Sequence, residues 1–167
     1  PIYGDLRDLA VVNFVGAPWL AVVALRVLLG LSAEQTAEVL GVDPGTIEDV
    51  VITHLHYDHA GNVHMLPNAR LHLQEKELQY ATGKYMKYDV MRHAYDVDDV
   101  VHIVRGVYDQ RVDFYEGDAE FAPGIQLVYV GGHTAGLQGV RVHTERGWVV
   151  LASDAAHYYA NLHKESP

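Results

Sequence analysis

The chain has 167 residues, with 12 Lys and Arg against 22 Asp and Glu, a formal net charge of −10 with histidine neutral. Apolar residues at 49% and charged residues at 20% exclude a disordered tract or a fibre and fit one folded domain with a real core. Histidine is abundant at 11 and cysteine absent, which excludes a disulfide framework and any cysteine-ligated zinc or iron–sulfur site. The acidic balance argues against a nucleic-acid groove, where Lys and Arg would have to cluster.

Phe14 to Leu31 is the one strongly apolar stretch. Gly16 and Pro18 interrupt it early and Arg26 sits inside it, so its unbroken part is too short to span a bilayer of ~30 Å. No basic segment precedes it, as a secretory leader requires. A buried or interface-forming helix is expected there, able to pair two copies as a homodimer, in a cytoplasmic protein without membrane contact. Ser32 with Gln35 forms a capping box ahead of Ala37, Val39 and Leu40, and Gly41 stops that helix.

Val50 to Thr53 is a β-branched run and predicts a buried strand. Ala69 to Leu73 predicts another strand, and Gln74 to Ala81 a short helix closed by Gly83. Val97, Val100, Val101 and Val104 recur at helical spacing within Asp96 to Arg105. The second half alternates as a sheet does, with strands predicted at Val112 to Tyr115, Ile125 to Val130, Gly139 to His143 and Trp148 to Ala152. Glu145-Arg146-Gly147 turns the last two into a hairpin. One mixed α/β domain over residues 1–167 is the expectation.

The chemistry concentrates after the first of these strands, in His54-Leu55-His56-Tyr57-Asp58-His59. Metal sites need neutral imidazoles and carboxylates that converge, and a strand end leading into a tight loop provides that. If the segment stays extended, His54, His56 and Asp58 point the same way, because strand side chains alternate with period two. His59 then comes from the turn and can face a second ion. Two other strand ends carry ligand types: His133 in Gly131-Gly132-His133-Thr134-Ala135-Gly136, and Asp154 in Ser153-Asp154-Ala155-Ala156. Together they predict a site along one edge of a sheet. His64, His72, His93, His102 and His143 fit no ligand spacing. The aromatic segment holding Tyr80, Tyr85, Met86 and Tyr88 reads as packing, with an acyl-chain pocket as the alternative.

His54 to His59 is the HxHxDH signature of the metallo-β-lactamase superfamily. Gly132-His133-Thr134-Ala135-Gly136 resembles its GHTxG motif, and Ser153-Asp154 its bridging aspartate. The longer string from Thr53 to Asn62 resembles the N-acyl-homoserine lactonase branch, the quorum-quenching lactonases. The resemblance implies an αβ/βα sandwich with two divalent metal ions, usually zinc: His54, His56 and His133 on the first, Asp58 and His59 on the second, Asp154 bridging. Two adjacent cations lower the pKa of a shared water to give hydroxide near neutral pH and polarise the carbonyl under attack. Asp58 would also move the proton as the bond breaks.

Three departures from the pattern shape the expectation. Strands of the family fold before HxHxDH and its last metal histidine after Asp154 have no counterpart, so the sandwich is expected to be incomplete at both ends. Homoserine lactonases place a tyrosine three residues after the bridging aspartate, where this chain has His157, followed by Tyr158. Either side chain is expected to contact the substrate carbonyl. The implied function is hydrolysis of a small lactone or ester, with N-acyl-homoserine lactones foremost. A thioesterase resembling glyoxalase II, or a non-catalytic metal-binding fragment, are the alternatives.

Overall fold

The computed structural model describes residue 41 and residues 43–156. The apolar stretch Phe14–Leu31, the capping box at Ser32, and His157 and Tyr158 all lie outside the described residues. Two sheets organise the rest. The first is parallel, ordered β1 (Asp49–Val51), β2 (Arg70–Gln74), β3 (Val112–Tyr115). The second is antiparallel, ordered β4 (Ala119–Ala122), β5 (Ile125–Tyr129), β6 (Gln138–Thr144), β7 (Gly147–Leu151).

Side-chain alternation along the strands sets the layers. Leu71 and Leu73 of β2 face one way and pack with Ile52, Leu55, Val100 and Ile103 in a first core. His72, between them, faces the other way onto Phe121, with ring centroids 4.7 Å apart. Likewise Val50 packs on the first core while Val51 joins Ile125, Leu127, Val140 and Val142 in a second core between the sheets. With both faces of β2 covered, its residues from Leu71 to Gln74 are all buried, as expected for a central parallel strand. The described layers are therefore helices, parallel sheet and antiparallel sheet, consistent with the incomplete αβ/βα sandwich.

Four helices accompany these sheets among the described residues: α1 (Tyr57–Ala60), α2 (Glu75–Ala81), α3 (Asp89–Arg92) and α4 (Val97–Tyr108). Asp96 caps α4 by accepting a bond from Asp98 N at 2.8 Å, and Asp98 and Asp99 in its first turn suit the positive end of the helix dipole. Val100, Ile103 and Gly106 form its buried stripe. No helix among the described residues is long and apolar enough to cross a membrane.

Among the described residues the predicted elements recur with shifted limits, while α1, α3 and β4 come in addition. Helix α4 runs past Arg105, because Gly106 lies against Val112, where a Cβ would be 3.2 Å from Val112 Cγ2. Strand β3 belongs to the parallel sheet beside β2, in register Leu71↔Val112, and not with the hairpins that follow it. Strand β4, which the alternation does not reveal, pairs with β5 through an irregularity between Glu120 and Ala122.

One residue stitches the two sheets. Gln138 is fully buried; its Nε2 donates to the carbonyls of Ile52 (2.9 Å) and His72 (3.0 Å), and its Oε1 accepts from Gln74 Nε2 at 3.0 Å. Its backbone N–H bonds Thr53 O at 3.0 Å. The seam places the loop after β1 beside the loops before β6 and after β7.

Candidate metal centre

After β1 the chain runs without regular structure from Ile52 to Leu55 and then turns into α1, with His56, extended at φ −67° and ψ 149°, as its N-cap. His54 and His56 share one donor cluster, as the period-two reading expects, and Asp58 is not in it. Helix α1 begins at Tyr57 and carries Asp58 outward, leaving its side chain 58% exposed. His54, in contrast, is 0% exposed. His133 arrives from the loop between β5 and β6, where Gly131 and Gly132 adopt φ of +69° and +86°. Asp154 follows β7, on a short turn whose first residue, Ser153, has φ +50°. Such a backbone in a non-glycine residue costs about 1–3 kcal/mol and clusters at functional sites.

The loops meet. His54, His56, His133 and Asp154 each offer a ligand atom within 4.8 Å of all the others. Asp154 Oδ2 is the hub, 3.5 Å from His54 Nε2, 3.3 Å from His133 Nε2 and 3.2 Å from His59 Nε2. His133 Nε2 lies 3.1 Å from His56 Nδ1. Donors at about 2.0–2.2 Å from one tetrahedral ion are roughly 3.3–3.6 Å apart, so these separations fit a metal among them. Asp58 joins only at the margin, its Oδ2 3.6 Å from His59 Nε2.

The protonation chemistry fits as well. Burial first, then the neighbouring His133, lower His56 from an ordinary 6.5 to about 4, against the opposing pull of Asp58. His56 is therefore neutral at pH 7 and presents a lone pair, as a ligand must.

Groups around the donors fix their orientation. Thr53 Oγ1 lies 3.2 Å from His54 Nδ1 and 3.4 Å from His59 Nδ1, leaving the Nε2 atom of each ring facing Asp154. Ser153 Oγ donates to the same Thr53 hydroxyl at 3.0 Å, tying the turn that carries Asp154 to the loop that carries the histidines. Such outer contacts hold the tautomer and ring angle of ligating histidines. Tyr95 stands edge-on to His56, with centroids 4.7 Å apart. Burial first, then the charge of Glu77, raise its phenol pKa, so it stays protonated. Tyr80 continues the aromatic row, with centroids 6.2 Å from Tyr95 and 5.8 Å from Tyr85. Tyr85 and Tyr88 are exposed.

Thr53, Ser153, Tyr95 and Glu77 were not singled out by the sequence. Thr53 and Ser153 adjoin ligand motifs, a usable signal, whereas nothing in the local pattern marks Tyr95 or Glu77. Of the histidines outside the ligand spacing, His72 is buried between Asp49 Oδ1 (2.8 Å) and the Tyr115 hydroxyl (3.0 Å), away from the donor cluster.

The family profile of the metallo-beta-lactamase superfamily matches residues 29–166. An N-acyl homoserine lactonase of Bacillus thuringiensis is 30% identical over 131 residues, covering 77% of this chain and 46% of that protein. The N-acyl homoserine lactonase AiiB of Agrobacterium fabrum is 33% identical over 129 residues, 73% of this chain and 45% of that one. A solved N-acyl homoserine lactone hydrolase, with its product N-hexanoyl-L-homoserine bound at the catalytic metal center, superposes with a TM-score of 0.65 at 28% identity. That superposition covers 80% of this chain and 48% of the other. This chain thus spans about half the length of the curated relatives it matches. With the profile spanning most of its residues and a four-donor cluster at three loop ends, the chain belongs to the metallo-beta-lactamase superfamily.

Proposed function

We propose that the chain carries the metal centre of a zinc-dependent lactonase that opens the ring of N-acyl-homoserine lactones. The observation that carries this reading is the convergence of His54, His56, His133 and Asp154 within 4.8 Å. The lactonase relatives support the choice of substrate. In this reading His54, His56 and His133 would hold one ion, Asp58 and His59 a second, and Asp154 would serve both. When bound, two such ions would supply a water of lowered pKa and positive charge for the developing oxyanion.

The protein's own groups do the rest. Asp154 is held by the left-handed turn at Ser153 and faces three imidazole nitrogens at once. Thr53 fixes the rings of His54 and His59. Hydrolysis forms a bond from water oxygen to the lactone carbonyl carbon and breaks the bond from that carbon to the ring oxygen, which must gain a proton. Asp58, exposed beside His59, takes the proton from water and returns it to the leaving oxygen. His157 or Tyr158 donates a hydrogen bond to the substrate carbonyl.

The test pairs metal content with substrate choice. Protein purified without chelator should hold about two equivalents of zinc per chain and release acid from N-hexanoyl-homoserine lactone. Chelation should abolish both. Absence of zinc overturns the metal reading. Zinc present with hydrolysis of a glutathione thioester but not of the lactone redirects the reading to a thioesterase, and zinc with neither activity redirects it to a metal-binding module.

A further inference from the structure

Helix α2 contains a carboxylate that the hydrolysis does not use. Glu77 is 0% exposed, and a buried carboxylate is costly unless every lone pair is met. Here four donors meet it. Its Oε1 accepts from Leu55 N at 2.9 Å and from the Tyr95 hydroxyl at 3.3 Å. Its Oε2 accepts from Thr134 Oγ1 at 2.6 Å and from Gly136 N at 2.9 Å. Two of the donors are backbone N–H groups, one on each oxygen, and an acceptor-only carboxylate suits that pattern as no other side chain does.

The identity of the donors gives this carboxylate its meaning. Leu55 lies between His54 and His56. Thr134 and Gly136 follow His133 in its loop, and Tyr95 packs against the His56 ring. A single side chain thus grips both histidine loops, which lie far apart in sequence, and a third group that sets one imidazole. The grip is close: a Cβ on Gly136 would sit 2.3 Å from Glu77 N, so the loop rests directly on α2.

We propose that Glu77 is a positioning residue for the metal centre, a buried brace that sets the distance between the His54/His56 loop and the His133 loop. The proposal rests on the metal-centre reading above. It assigns Glu77 no contact with metal or substrate. Its effect passes through Leu55, Thr134, Gly136 and Tyr95 to the separation of the donor atoms, now 3.1 Å between His56 Nδ1 and His133 Nε2.

The decisive variant is Glu77→Gln in the full-length chain. A glutamine must turn its NH2 toward either Leu55 N–H or Gly136 N–H, donor against donor, so one loop is released. Zinc affinity, read by competition with a chromogenic chelator, should weaken roughly 10–100-fold, the range seen when partners of metal ligands are removed. The visible absorption of the cobalt-substituted protein should shift with it. Should Glu77→Gln not fold, Thr134→Val decides. It keeps the buried shape, removes one donor, and should weaken zinc several-fold, while Thr134→Ser should restore it. A folded Glu77→Gln or Thr134→Val with lower unfolding midpoint but wild-type zinc affinity and cobalt spectrum overturns the proposal and leaves Glu77 a stability residue. Failure of the wild-type chain to bind zinc removes the metal reading itself, and the brace with it.

Discussion

Replacing Gly136 with alanine tests how the histidine loops are seated. A Cβ at this position would lie 2.3 Å from Glu77 N, 2.6 Å from its Cα and 2.5 Å from its Cβ. No flexible side-chain end is available to yield, so loop and helix must part by about 1 Å to restore van der Waals contact. Overpacking of this kind costs about 1–3 kcal/mol. Stretching the 2.9 Å bond from Gly136 N to Glu77 Oε2 adds about 1–3 kcal/mol for a buried donor left unmet. The expected loss is therefore about 2–6 kcal/mol, read as a fall in the urea midpoint of the metal-free protein. His133 lies three residues upstream, so zinc affinity should drop in parallel. Gly132→Ala is the control. Its Cβ would meet nothing within 4 Å, though its φ of +86° leaves a backbone cost of about 1–2 kcal/mol. If Gly136→Ala proves no more destabilising than Gly132→Ala, the close seating of the loop on α2 is refuted.

Two further outcomes are expected. Ile103→Ala, at a fully buried position of the first core, should cost about 2–5 kcal/mol without altering zinc stoichiometry; a loss below about 1 kcal/mol would mean that α4 is not packed as described. His56, lowered to about 4 in the fold and near 6.5 when unfolded, binds its proton more readily in the unfolded chain. The metal-free protein should therefore lose stability as pH falls from 6.5 to 4, with no further loss from this residue below that. His56→Gln should flatten that part of the profile, and equal slopes in the two proteins would contradict it.

The parts of the site readable in the sequence are those whose signal is local. Val50 and Val51 announce a strand, the residues after it crowd imidazoles into a few positions, and His133 and Asp154 each follow a recognisable strand. Asp58 shows the limit of that reasoning. Whether it continues the alternation depends on where the first helical turn begins, and His56 as N-cap sets that start at Tyr57. Strand β4 escaped because Ala119 to Ala122 is short, holds two small residues and gains its identity from pairing with β5. Strand β3 reads correctly as a strand, but its partner, β2, is chosen by a crossover through α4 that no local pattern encodes. Glu77 is the extreme case. Within α2 it is one of two glutamates in the first turn; Glu75 is half-buried and accepts from Gln79 of the same helix, whereas donors from distant loops meet Glu77 in the interior.

The seam at Gln138 has a consequence for how the protein can be assayed. His54 and His56 extend from the parallel sheet, His133 and Asp154 from the antiparallel one, so neither sheet alone carries the whole donor cluster. Under the proposed metal centre, zinc affinity would gauge how well the two sheets dock. On that proposal, a substitution along the seam, however remote from the imidazoles, should register as a change in metal binding, and added metal should slow hydrogen exchange where Gln138 N meets Thr53 O.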